Sequence, residues 1–318
     1  MDDQPKPAPA ADPQRIAAEH LWARYRRWSE AAVKERTGIL RARRAVLILS
    51  IAGAVLGTLC QQTNGLAAAH RLSQSLSWIP TATGWGSAVA LGLAALLSRE
   101  VLSEERQRLW LEARTAAERY KSQTFLLRAK APPYEKSDAS SAELLAEARV
   151  LGERLGAPPP TQASDEELLA EKPPPPPMAV ADFITLRVDD QIKYYEKNAA
   201  SYMKRLRLGR TLSLSLGAVA VVLGALGSTY GWTAGWVAVI STIIASVSAN
   251  QYANRYQFLM LSYRATAERL RWLKVSWGAS DKTEADVEER NRFILDCEQT
   301  LATENNSWMA EWTKKHDG

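Results

Sequence analysis

The sequence predicts an all-α integral membrane helical bundle: two tandem two-span hairpins, four transmembrane helices in all, with long cytosolic amphipathic helices. Three observations carry this. First, no Asp, Glu, Lys or Arg occurs from Ala45 to His70, from Leu72 to Ser98 or from Thr211 to Asn254, and a spanning helix needs about 20 predominantly apolar residues. Second, core helices of soluble proteins carry a charged outer face every turn, and these runs carry none. Third, the chain repeats itself. "RTAAERYKSQTFLLRA" from Arg114 and "RATAERLRWLKVSWGA" from Arg264 share Arg-x-x-Ala-Glu-Arg, and internal repetition of this kind is a signature of architecture.

Upstream of each copy the correspondence continues. Leu109 and Leu111 fall opposite Leu259 and Leu261, Ala95 opposite Ala245, and Ser98 opposite Ser248. A second block, "AGAVLGTL" from Ala52, matches "VAVVLGAL" from Val219, with Gly57 opposite Gly224 and Arg43 opposite Arg210. The register shifts between the blocks because the first half has a longer connection, between Cys60 and Trp85, than the "GSTYGWTAG" of the second. The repeated unit is therefore basic helix, apolar segment, turn, apolar segment and amphipathic helix.

Taken in order, residues 1–13 form a disordered N-terminus, acidic and proline-bearing where a signal peptide would be basic then apolar, so no cleaved signal is expected. Residues 14–130 form the first two-span repeat and 131–181 a Pro-rich linker with short helices. Residues 182–280 form the second repeat and 281–318 a C-terminal cytosolic helix. Arg36, Arg41, Arg43 and Arg44 precede the first span, and Arg99, Arg106 and Arg108 follow the second. Lys204, Arg205, Arg207 and Arg210 precede the third, and Arg255, Arg264, Arg269 and Arg271 follow the fourth, whereas the two turns hold only Arg71. The bias of cytoplasmic flanks toward Lys and Arg puts both termini and the linker in the cytoplasm. Trp78, Trp85, Trp232 and Trp236 cluster near the opposite ends, as an interfacial aromatic belt would. The pI of about 9.1 then reads as topology and contact with anionic lipid, and no nucleic-acid partner is expected.

Arg114 with Glu118 and Arg264 with Glu268 stand one turn apart, followed by Arg119 and Arg269, and form the candidate cytosolic stalk. They read either as solvated intrahelical pairs worth a few tenths of a kcal/mol or as charges meeting across the two repeats; the solvated reading is preferred. In the linker, Pro173 to Pro177 should form an extended polyproline spacer, and Ser140 with Glu143 and Ser164 with Glu167 form capping boxes. From Glu284 to Trp312 a helical stripe of Val287, Ile294, Cys297, Leu301, Asn305, Trp308 and Trp312 needs a surface to bury against.

No set of residues here would run a reaction. There is no Gly-rich phosphate loop, no paired Cys ligands and no serine elbow, so neither an enzyme nor a cofactor or metal is expected. Cys60 and Cys297 lie in different regions and are not expected to pair. His20, His70 and His316 have no ligand spacing. Within the spans, Ser213, Gly217, Ala220, Gly224 and Gly227 share one face of the third, and Ser50, Gly53 and Gly57 one face of the first. Small residues that allow close backbone approach mark helix-packing faces in lipid. On the fourth span Ser241, Thr242, Ala245, Ser246, Ser248 and Ala249 occupy one side, opposite Val237, Ile240, Ile243, Ile244 and Val247. The second span has Leu91 and Gly92 where the fourth has Ser241 and Thr242. The hydroxyl stripe reads equally as self-satisfied Ser and Thr that pack like Ala or as candidate pore-lining residues Ser241, Thr242, Ser246 and Ser248. No ionisable side chain lies deep in a span, which argues against proton-coupled transport.

Paired short spans with basic flanks, the arm from Arg264 to Leu270 and the tail "CEQTLATENNSWMAEW" from Cys297 together resemble the SLATT family, two-span effector domains associated with SMODS nucleotidyltransferases and SLOG nucleotide-sensing proteins. The resemblance is clearest from about Val188 to Trp312, and the first half resembles a divergent second copy. It implies a pore-forming or membrane-perturbing effector of a bacterial conflict or antiviral system, oligomeric, in the inner membrane. It also implies activation by a cyclic nucleotide or by a nucleotide-sensing or nucleotide-synthesising partner. No SLOG-like sensing domain is visible in this sequence. The alternative is a passive membrane scaffold that recruits a cytosolic partner through the linker and tail.

Overall fold

The computed structural model describes residues 12–313 except 70–72, 102, 136–139, 159, 161–162 and 281–285, and all regular structure among them is helical. Helix α1 runs from Pro13 to Ala68, its proline at the first helical position, where a missing N–H costs nothing. It is followed by α2 (Ile79–Glu100), α3 (Glu104–Arg128), α4 (Ser141–Leu144), α5 (Ala146–Leu155) and α6 (Asp165–Glu171). Helix α7 (Val180–Phe183) leads through a π-helical turn, Ile184–Asp189, into α8 (Asp190–Gly227), α9 (Ala234–Ala253), α10 (Tyr256–Gly278) and α11 (Val287–Thr313). Four helical runs are long and apolar enough to cross a membrane, and the chain is a membrane protein with four candidate transmembrane helices.

The Cα packing separates two units: residues 36–107 with 197–262, which hold the spans, and the rest, which hold the arms. In the span unit α1 and α2 meet through small residues. A Cβ built on Gly53 would lie 2.7 Å from the Leu91 side chain, and one on Gly57 would lie 3.2 Å from Ser87 Oγ. Ser87 Oγ also donates to the Gly53 carbonyl at 2.8 Å. The two hairpins join along α1. Arg43 Nη1 donates to Asn254 Oδ1 at 2.8 Å, and Gln62 Nε2 donates to the Trp232 carbonyl at 2.7 Å. At 1.5 Å per residue these two polar clasps stand about 28 Å apart along α1, close to the roughly 30 Å of a hydrocarbon core. Within the second hairpin, Thr233 Oγ1 donates to the Leu223 carbonyl at 3.0 Å.

The arms do not run on unbroken from the spans that leave the membrane: α2 ends at Glu100 before α3 begins, and α9 ends at Ala253 before α10 begins. The second break has a visible cause. Buried Asn254 turns its amide back onto the Asn250 carbonyl at 2.7 Å, while its oxygen takes Arg43. The next residue, Arg255, adopts φ +49, a left-handed conformation that ends the helix and costs a non-glycine residue about 1–2 kcal/mol. Continuity belongs to the entering helices, α1 and α8, each of which is arm and span in one piece.

The arm unit is built on the first turns of α1. Ala17, Ala18, Leu21 and Trp22 are buried, and Trp22 Nε1 donates to the Lys172 carbonyl at 2.7 Å. Phe125 meets Trp22 and Phe183 edge-on at 6.5 and 6.4 Å between ring centroids. Both capping boxes form: Ser140 and Ser164 exchange bonds with Glu143 and Glu167. The proline run lies outside any helix and is tied at both ends, at Lys172 by Trp22 and at Met178, whose N–H donates to the Arg128 carbonyl at 3.0 Å. It packs as part of the arm unit. The stripe on α11 is buried at Ile294, Cys297, Leu301 and Asn305 and exposed at Val287; the side chains of Trp308 and Trp312 lie outside the described residues, as do residues 1–11 and Arg71.

Candidate functional site

In the span unit, Ser241, Ala245, Ser248 and Ala249 are exposed, and Thr242 and Ser246 are half-buried. Thr242 Oγ1 donates to the Ala238 carbonyl one turn back at 2.9 Å, so this hydroxyl satisfies itself within the helix. The stripe is thus open along much of α9 in the single chain. Of the four helix-packing glycines, Gly53 and Gly57 face α2, whereas a Cβ on Gly217 or Gly224 would meet nothing within 4 Å.

The arm unit holds the chain's concentrated chemistry. On α3, Arg114 and Glu118 turn inward among Leu111, Thr115, Ala117 and Tyr120, which are buried. The π-helical turn before α8 brings Arg187 and Val188 together into the interior; one extra residue in a turn changes which side chains share a face, and such turns recur at functional sites. Arg187 is 1% exposed and forms a bidentate pair with Glu298 of α11, Nε to Oε1 at 2.8 Å and Nη2 to Oε2 at 2.9 Å. Its guanidinium carbon lies 4.9 Å from the Phe125 ring centroid, within cation–π range. Glu304, one face further along α11, accepts from Arg114 Nη2 at 3.5 Å and from Tyr195 Oη at 3.3 Å. Asn305 Nδ2 reaches Thr115 Oγ1 at 3.3 Å.

Burial opposes charge on Arg187, but the carboxylate of Glu298, its hydrogen bonds and the charge of Glu118 prevail and raise the arginine above its ordinary value. Burial likewise pulls upward on Glu118, yet Lys121, Arg187 and Arg114 hold it below the usual glutamate range, so it is ionised. Glu304 goes the other way: burial, with Glu118 nearby, outweighs Arg114 and raises it. Tyr195 is raised by burial and by Glu304, so its hydroxyl remains a donor. Cys297, wholly buried, is pushed up by burial and by Glu298 and Asp296, which leaves an inert thiol.

The two copies of the repeated arm motif therefore part company. Arg114 and Glu118 sit inside a charge cluster, while Arg264, Glu268 and Arg269 on α10 are exposed, as is Arg119. Glu268 pairs with Arg271 at 2.7 Å and Arg269 lies over Trp272 at 5.0 Å. Arg114 with Glu304 crosses between the halves, and Arg187 with Glu298 joins the start of the second repeat to the tail helix; three of these four were not singled out by sequence reasoning. One signal was available: Glu298 and Glu304 flank the buried stripe of Cys297, Leu301 and Asn305, and a carboxylate beside a buried face needs a cation.

Beside this cluster lies a cavity of about 330 Å3, lined by Glu118, Arg119, Ser122 and Gln123 of α3, Val150, Leu151 and Arg154 of α5, Arg187, and Glu298 to Asn306 of α11 at four positions besides Glu298. Among the described residues no group of three or more His, Cys, Asp or Glu could hold a metal ion.

Two family models match the chain. Residues 183–308 match the one described as SMODS and SLOG-associating 2TM effector domain 1, which covers the second hairpin, α10 and most of α11. Residues 24–142 match a protein family of unknown function, DUF4231, consistent with a second, copy-like domain in the first half. No curated protein and no solved structure matches the chain.

Proposed function

Because residues 183–308 carry a SMODS and SLOG-associating two-transmembrane effector domain of the SLATT family, we propose that this membrane protein is an effector of a bacterial conflict system. It acts as an oligomer in the inner membrane and opens or perturbs the bilayer on activation. The observation that carries the reading is the exposed hydroxyl stripe of α9, Ser241 and Ser248 with Ser246 beside them, on a helix apolar enough to span. Copies that bring this face together would line a path with hydroxyls. With no charged ring inside the span, discrimination among small ions would be weak, and the basic residues at its end would set any bias. The activating input is a nucleotide signal or a partner that handles one.

Liposome flux and cell growth test this together. The triple variant Ser241→Leu/Ser246→Leu/Ser248→Leu should assemble like wild type but lose ion flux and toxicity, both in the presence and absence of cyclic oligonucleotides. A triple variant that assembles and leaks equally would put the path elsewhere. Wild type that never leaks would favour the passive scaffold, which the exposed arm motif of α10 would suit.

The reading requires both termini and the Pro-rich segment to be cytoplasmic, which the basic flanks support. Reporter fusions after Gln61, Pro177 and Gly318 should give a periplasmic signal only at the first. A periplasmic signal at either of the others would overturn the topology.

A further inference from the structure

We propose that the cavity of the arm unit is a binding site for a small phosphorylated ligand. Three arginines, Arg119, Arg154 and Arg187, line it against two carboxylates, Glu118 and Glu298. Both carboxylates already face buried cations: Glu298 accepts two bonds from Arg187, and Glu118 is held ionised by Lys121, Arg187 and Arg114. The positive excess at the cavity is thus carried by Arg119 and Arg154, both exposed, above a deeper arginine that is almost wholly buried. That deeper residue points to a ligand. Arg187 spends Nε and Nη2 on Glu298, and its Nη1 is buried without a hydrogen-bond partner. A guanidinium N–H kept from water with no acceptor costs free energy, and an oxyanion that reached it from the cavity, which Arg187 lines, would remove that cost.

The remaining lining suits the body of such a ligand. Val150 and Leu151 from one helix and Leu301 and Ala302 from another give apolar walls, while Ser122, Gln123, Asn305 and Asn306 supply hydroxyl and amide groups. Apolar walls with a few convergent polar groups are the usual make-up of a small-molecule site, and the volume stands at the low end of the roughly 300–1,000 Å3 typical of one. The site draws α3, α5, the π turn and α11 onto one ligand. Binding would therefore tie the segment between the repeats to the first arm and the tail. Phosphate chemistry is shared by inorganic pyrophosphate and by nucleotides. The apolar walls favour a ligand with an organic body, so ATP and a cyclic dinucleotide should bind more tightly than pyrophosphate.

The test is calorimetric titration of the full detergent-purified chain with pyrophosphate, ATP and a cyclic dinucleotide in turn. Arg119→Glu/Arg154→Glu should weaken binding about tenfold or more, the loss of a charge-assisted contact. Ala302→Trp, which fills the mouth without touching a charge, should weaken it too, and Arg292→Glu, an exposed arginine outside the lining, should not. Pyrophosphate binding as tightly as the nucleotides would keep the anion site and discard the organic body. Binding of no probe, or binding that survives both the rim reversal and the filler, would overturn the proposal. Failure here leaves the membrane reading intact, because flux and toxicity are measured separately.

Discussion

Glu298→Ala should cost the arm unit about 3–5 kcal/mol, because removing one partner of a buried ion pair leaves the other charged and unpaired. Glu298 and Arg187 are both at most 5% exposed and are joined by two short hydrogen bonds. Glu118, whose charge already acts on Arg187, is shared with Lys121 and Arg114, and among the described residues it makes no hydrogen bond that would replace the lost bidentate contact. A whole domain has about 5–15 kcal/mol of stability, so the variant should open the arm unit in denaturant or hydrogen exchange well before the spans are affected. The double variant Arg187→Met/Glu298→Leu should be milder than Glu298→Ala alone, as apolar groups of similar volume need no compensation. A single-variant cost below about 1 kcal/mol would fall in the range of a solvated pair and would sink this account of the cluster.

Gly53→Leu should break the first hairpin, and Gly224→Leu should not break the second. A single Cβ on Gly53 would already meet Leu91 at 2.7 Å, closer than side-chain carbons approach. A whole leucine must push α1 from α2 and strip the Ser87 bond from the Gly53 carbonyl. Overpacking costs about 1–3 kcal/mol in well-packed cores, and in lipid no hydrophobic effect holds separated helices together. Gly57→Leu should act in the same direction through Ser87. Gly217 and Gly224 face open space in the chain, so leucine there leaves the fold intact. Size exclusion then separates two cases. Altered oligomers for Gly224→Leu would mark that face as a contact between copies, and unchanged elution would mark it as facing lipid. Gly53→Leu with native thermal stability would refute the packing argument.

What the sequence determined by itself is whatever depends on composition along one helix. Three charge-free runs are a property of consecutive residues, so the four candidate spans and the all-helical class were legible from Ala45, Leu72 and Thr211 onward. The capping boxes at Ser140 and Ser164 close within four residues, and the buried stripe of Ile294, Cys297 and Leu301 follows from helical period alone. The family likeness rested on the same local patterns, and the match over residues 183–308 agrees with it.

Only the tertiary structure decided which side of each repeat turns inward. Arg-x-x-Ala-Glu-Arg reads identically at Arg114 and Arg264, yet one copy is packed against Glu304 and the other faces outward. The difference comes from the tail helix, whose acids lie far away in sequence. The same holds for Gly57 and Gly224, matched in register but packed differently because α2 carries Ser87 and Leu91 at the contact. Arg187 was hidden for a further reason: a π turn, which a period of 3.6 residues does not describe, carries it into the core. Partners remote in the chain, and a local departure from the α-helical period, are what a one-dimensional pattern lacks the means to express.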